Sequence, residues 1–397
     1  MTENPRKSRK SANDFREYRL VRLKNEIKAI LISDIKPIRK NFDRSSTDDE
    51  EKEEPSPAAA ALHIAAGNFD EPPHLPGSFN ILQHALMKGS EKYPVTNTYS
   101  DFIDEHGGST TAYTVAESTA FHFTIDSQHL DAALDIFSSC FVDPLLTVKM
   151  VEGALEDLSC SSRSNMSDDT HRCDTVIRTR ARRQHPYSKF PMGSSWVEAN
   201  PDIGVTDLAN ELRSLFETCM SKRQTTLALC APISLDELEE MANKHFCAMT
   251  LRPRVKLLNN IHMDNPFEGD RFHRLVIVEP VEPVDTVKLN WLLPPQQRHY
   301  KKNPTFYISS LFSHTCEGSL YKCLKDRGLI TSISAYNTMQ TNYLAQFTCS
   351  IDVTRQGLDH IADIVHIVFQ FINMIRCEAP TKSRQVYKHF ITYYFQF

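Results

Sequence analysis

The stretch Leu75-Pro76-Gly77-Ser78-Phe79-Asn80-Ile81-Leu82-Gln83-His84 is where this chain comes nearest to a chemical site. Asn80 and His84 stand four apart, so on a helix they share one face. Two histidines at that spacing, with a carboxylate beside the second, would hold zinc and activate its water. Here only His84 is a good zinc donor. Asn80 is a neutral, weak one. Gln83 has no carboxylate to take a proton from water, and loss of a general base typically lowers a rate by ~10²–10⁴. A lone helical histidine is otherwise satisfied by polar neighbours, and both amides then read as hydrogen-bonded parts of the fold. Two other groups invite attention. Ten cysteines occur without a C-x-x-C pair, as expected for reduced thiols, and Cys230 and Cys349 sit in apolar runs. The run Arg178-x-Arg180-x-Arg182-Arg183 reads as a solvated helix face.

The elements that must carry these residues alternate along the chain. Tyr18–Leu23 and Ile27–Ser33 read as a hairpin, 58–66 as an apolar run, 77–88 and 97–106 as helices, and 110–114 and 118–125 as strands. Ser127 is expected to cap a helix burying Leu130, Ala133, Leu134 and Phe137. A helix over 147–163, a strand over 223–231 and a helix from the capping box Ser234-x-x-Glu237 close a first block. A second block has strands at 275–278 and 284–293, a mostly helical 304–325, strands at 329–337 and 343–353, and an apolar helix over 357–375. The similar order of the two blocks predicts a structural duplication.

The boundaries follow from composition. Residues 1–14 form a disordered leader and 15–252 a first domain with an acidic insertion over 35–57; 253–272, with Pro253 and Pro266, is a linker, and 273–397 is a second, incomplete domain. The 397 residues carry a net charge of −5, which implies no strong pull toward nucleic acid or anionic lipid. No stretch approaches the ~18 apolar residues of a membrane span, and the basic N-terminus lacks an apolar segment. The expected location is cytoplasmic.

The Leu-Pro-Gly before Asn80 and the Lys92-Tyr93-Pro94 after it make Asn80-x-x-Gln83-His84 resemble the inverted zinc motif H-x-x-E-H of the insulinase/pitrilysin metallopeptidase family. His106-Gly107-Gly108-Ser109, His185-Pro186-x-x-Lys189-Phe190 and Leu293-Pro294-Pro295-Gln296-Gln297-x-His299-Tyr300 are similar to further family stretches. The last of these, Glu17–Leu23, Leu31–Asp34 and the acidic run at 48–54 resemble the nardilysin-like branch. The resemblance implies an α+β fold of homologous domains, each a mixed sheet with helices, of which this chain looks like the first and most of the second.

Carried over position by position, the resemblance puts Asn80 at the first zinc histidine, Gln83 at the general base and His84 at the retained ligand. It puts the third ligand at Ser161 in an ungapped register, with Glu156 or Glu152 as shifted alternatives. Thr111 stands where a substrate-holding Asn belongs. Ser313, Thr315, Ile333 and Ala335 fall in the family's exosite, where an edge strand pairs with bound peptide. The family's glycines are missing at Ser313 and Ala335. The chain is therefore expected to be a catalytically inactive relative without a cofactor, binding peptides or a partner protein, with no nucleic acid and no membrane. One alternative is an active zinc endopeptidase cleaving at dibasic sites through displaced ligands. Another is an interaction subunit completing a chamber with a second chain, as a homo- or hetero-oligomer.

Overall fold

The computed structural model describes residues 10–11, 13–35, 57–165, 167–189, 203–219, 225–250, 265–267 and 274–377. Most of the leader, the acidic insertion and the 253–272 linker lie outside them.

Alternation of apolar residues builds the first sheet. Strands β1 (Glu17–Arg22), β2 (Lys28–Ser33) and β3 (Pro57–Ile64) are followed by helices α1 (Ser78–Leu86) and α2 (Thr98–Glu105). Then come β4 (Ser109–Thr114), β5 (Thr119–Asp126), α3 (Leu130–Val142), α4 (Val148–Asn165), α5 (Asp169–Arg180), α6 (Val205–Cys219), β6 (Thr225–Ala231) and α7 (Leu235–Phe246). The strand order is β1-β2-β6-β3-β5-β4, antiparallel except between β2 and β6. On β3 every second residue, Ala58, Ala60, Leu62 and Ile64, is buried. Phe137 on α3 packs edge-on against Phe123, Phe141 and Phe246, at the centre of this core.

The second sheet is smaller. Strand β7 (Thr286–Leu293) leads through α8 (Pro304–Phe312) and α9 (Leu320–Asp326) to β8 (Ile330–Gln340) and β9 (Ala345–Val353), then α10 (Arg355–Asp359) and α11 (Ile361–Cys377). Its order is β7-β9-β8, all antiparallel, over a core of Trp291, Phe312, Phe347 and Ile364. The path strand, two helices, hairpin, helix is the same in β3 to α3 and β7 to α11, and the sheet orders β3-β5-β4 and β7-β9-β8 correspond. The architecture is α+β, with a duplicated unit.

Two compact units result, one drawn from Met1–Ser164 and Lys189–Asn259, the other from Asn165–Ser188 and Asn260–Phe397. Helix α5 thus goes with the second unit, whereas the sequence boundary at 252 leaves it in the first. Polar contacts explain the excursion. Asp169 accepts the N–H groups of Val281 and Glu282 within 3.0 Å, Arg172 donates to the Glu279 carbonyl at 2.8 Å, and the Tyr187 hydroxyl donates to Gln346 at 3.0 Å.

Two local expectations need correction. Residues 275–278 form no strand: no described strand lies alongside to complete a ladder, and Leu275 and Ile277 are 77% and 87% exposed. Ser127 does not cap α3: it opens a short 3-10 turn over Ser127–His129, capped by Asp126, whose carboxylate accepts the Gln128 N–H at 3.0 Å, and α3 follows after His129 without a side-chain cap. The mostly helical 304–325 consists of α8 and α9, separated by a turn in which Gly318 sits at φ 77° before Ser319 caps α9. Among the described residues no helix is long and apolar enough to cross a membrane.

Candidate functional site

Helix α1 is anchored at both ends. Gly77 precedes it at φ 83°, a left-handed conformation that suits glycine. The buried Glu71 carboxylate accepts the N–H groups of Gly77 at 2.8 Å and Phe79 at 3.3 Å, satisfying donors that a helix start leaves open. Burial pushes the Glu71 carboxyl up to about 7, against the pull of the Gly77 N–H and the Lys189 ammonium. Lys189, from the His185-Pro186-x-x-Lys189 stretch, donates to the Glu71 carbonyl at 2.7 Å. Phe79, Ile81, Leu82, Ala85 and Leu86 bury the other side of the helix.

The polar face of α1 carries the motif. Gln83 is only 6% exposed, and its Oε1 accepts the Thr114 hydroxyl at 2.9 Å, tying α1 to the end of β4. Asn80 and His84 are half-buried. The carboxylate that reaches His84 belongs to Asp157 of α4, with Oδ2 at 3.8 Å from Nδ1. The same oxygen takes the Lys88 ammonium at 2.6 Å. Burial lowers the His84 imidazole pKa from its ordinary value, Asp157 opposes this, and Lys88 adds to it. Ser161, the ungapped third-ligand position, and its shifted alternatives Glu156 and Glu152 are exposed on α4. Sequence reasoning missed Asp157 and Lys88. Asp157 lies one helical turn before Ser161 on the same face, and that i, i+4 relation was the available signal.

A catalytic zinc needs three protein donors with an open fourth position. This group offers one imidazole, one carboxylate already paired with an ammonium, and two amides. Among the described residues no three His, Cys, Asp or Glu side chains gather so that they could hold a metal ion. The residues present do not fit the zinc of an H-x-x-E-H site.

The candidate peptide-binding residues fall on two outer strands. Thr111 is exposed on β4, and no described side chain or backbone group hydrogen-bonds to the outward backbone of that strand. In the second unit Ile333 and Ala335 are on the outer strand β8, with Ser313 just past α8 and Thr315 exposed in the following turn. There the Ser313 hydroxyl accepts the Ala335 N–H at 3.0 Å, so a donor on that edge is already engaged. The two positions where the family's glycines are missing therefore bond to each other. Of the basic run, Arg178 lies over the Tyr187 ring at 5.2 Å, and Arg182 donates to the Asn265 carbonyl at 2.7 Å.

Comparison with known proteins agrees with this fold. The insulinase (peptidase family M16) model matches residues 49–193, and the peptidase M16 inactive-domain model matches 207–384. This chain belongs to the insulinase family. Mouse insulin-degrading enzyme is 30% identical over 372 residues, which are 94% of this chain and 34% of that protein. Rat nardilysin is 30% identical over 330 residues, 82% of this chain and 28% of its own length. The chain thus spans about a third of the length of the curated relatives it matches. The crystal structure of pitrilysin shares the fold with a TM-score of 0.78 at 22% identity, covering 94% of this chain and 38% of pitrilysin. A protease from Helicobacter pylori does so with a TM-score of 0.68 at 14% identity, covering 95% and 84%.

Proposed function

We propose that this insulinase-family chain does not hydrolyse peptides and instead binds extended peptide segments along an open sheet edge, without a cofactor, in a cytoplasmic setting. The observation that carries the reading is the state of the motif face. Gln83 accepts the Thr114 hydroxyl where a base would have to face water, and His84 shares its one carboxylate neighbour with Lys88. An endopeptidase with displaced ligands would need a second base and further donors; Glu152 and Glu156 are exposed on α4, and among the described residues no three His, Cys, Asp or Glu side chains gather to hold a metal ion.

The open edge of β4 supports the binding part. Strand addition uses main-chain hydrogen bonds, so it survives loss of the metal. The edge of β8 supports it less, because Ser313 occupies the Ala335 donor. A second reading, an interaction subunit completed by another chain, is favoured by β7. It pairs with β9 on one side, and among the described residues no strand lies on its other side, whereas β3 has both β5 and β6.

The test uses fluorescent dibasic peptides, the substrates that the resemblance to nardilysin implies. The expected outcome is no turnover above background, binding unchanged by chelators, and slowed hydrogen exchange at amides 109–114 on adding peptide. Turnover that disappears in His84→Ala would contradict the inactive reading, and unchanged exchange over 109–114 would contradict the β4 edge.

A further inference from the structure

Lys88 is built into its place. It stands one residue past the Met87 cap of α1, where a positive charge is favoured by the carbonyl end of the helix. The turn beyond it presses on α4: a side chain added at Gly89 would come within 2.8 Å of Met150 Cε and 3.1 Å of the Tyr93 carbonyl. The stem of Lys88 then crosses Gly153, where an added methyl would meet Lys88 Cε at 3.8 Å. One turn further along the same face of α4, the ammonium reaches Asp157 at 2.6 Å. The stem thus lies within van der Waals reach of α4 at Gly153, and Asp157 receives the charge. The Lys88 side chain is only 15% exposed, although lysine ordinarily keeps its head in water.

We infer that Lys88 is the resident cation of this site, its ammonium joining α1 to α4 through Asp157 beside His84, where the family's motif would use a metal ion to join the same two helices. A divalent ion approaching His84 and Asp157 meets a tethered positive charge on the carboxylate it would need, and like charges at such range repel strongly in a half-buried site. The loss of metal is thus held in place twice, by the missing ligand at Asn80 and by the cation at Lys88. Restoring the ligand alone does not restore the site. The inference rests on the inactive reading above, yet it is separately testable, because it concerns Lys88 and not the base at Gln83.

Five proteins decide it: the wild type, Asn80→His, Asn80→His with Lys88→Met, Asn80→His with Lys88→Gln, and Asn80→His with Lys88→Arg. Each is titrated with zinc chloride while thermal unfolding is followed, and with cobalt(II) for its visible absorption, after circular dichroism has established folding. The wild type and Asn80→His should show no rise in Tm with zinc. Removing the charge in either the Met or the Gln variant should tighten metal binding by about a hundredfold or more over Asn80→His, whereas Lys88→Arg should not. The inference is overturned if Asn80→His binds equally well with Lys88 present, or if neither neutral variant gains affinity. Those outcomes would leave the inactive reading standing, since Gln83 is unchanged in all five. Peptide hydrolysis by the wild type would remove that reading without altering the comparison at Lys88.

Discussion

The two sheets of this molecule start from one plan and end in different states. In the first, β3 is enclosed by β5 and β6, and its alternate residues are fully buried. In the second, β7 has β9 alone among the described residues, and most of its side chains are only half-buried. Their outer strands differ in the opposite sense, with β4 open along its backbone and β8 engaged by Ser313. The lesson is that a duplicated backbone plan does not fix where a surface is available. The helices and loops around each sheet decide which edge can receive another chain.

The largest effect expected from this comparison is in the first core. Phe137→Ala removes a ring packed against three others and should cost about 3–5 kcal/mol, measured by denaturant unfolding. Ile364→Val, on the corresponding helix α11, should cost about 0.5–1.5 kcal/mol. Equal losses would mean that the two cores are not organised as described. Next in size is amide exchange: protons on the β7 edge away from β9 should exchange at least about a hundredfold faster than those of β3, which are paired on both sides. Equal protection would mean that a strand covers β7 in solution.

Ser313→Ala sharpens the contrast between the outer strands. It frees the Ala335 N–H, so stability should fall by about 1 kcal/mol while peptide affinity at β8 rises. Unchanged affinity would exclude β8 as a binding edge. The smallest effect concerns acid. Asp131 on α3 accepts His245 Nε2 at 2.8 Å and Lys244 Nζ at 2.7 Å, and both hold its carboxyl below the usual carboxylate range. The stability this contributes is present above the unfolded-state value near ~4 and is lost as pH falls through the lower folded value. Because Asp131 is half-exposed, solvent screening keeps the contribution below about 1 kcal/mol. Asp131→Asn should therefore flatten the acid limb of the stability curve slightly and leave neutral pH nearly unchanged. A larger loss at neutral pH would assign Asp131 a packing role.

Much of this was legible in the sequence because it depends on local pattern. The capping box at Ser234, the hairpin before Ser33 and the stripe Leu130-Ala133-Leu134-Phe137 follow from spacing alone, and the helix bearing Asn80, Gln83 and His84 follows from spacing and its flanks. The unseen parts depend on partners distant in sequence. Leu275 to Val278 has strand composition but no neighbour, and α5 looks like part of the first block until its contacts with Glu279 and Val281 are known. Glu71, Lys88 and Asp157 are unremarkable charges in the sequence. Only the approach of α4 to the end of α1 puts Lys88 and His84 on one carboxylate.

The central claim is that the motif face of α1 holds no metal. Zinc content per chain, measured by elemental analysis on protein purified under zinc-replete conditions, tests it most directly. The account predicts well below one zinc per chain, with no difference between the wild type and His84→Ala. One zinc per chain in the wild type, lost in His84→Ala, would contradict it.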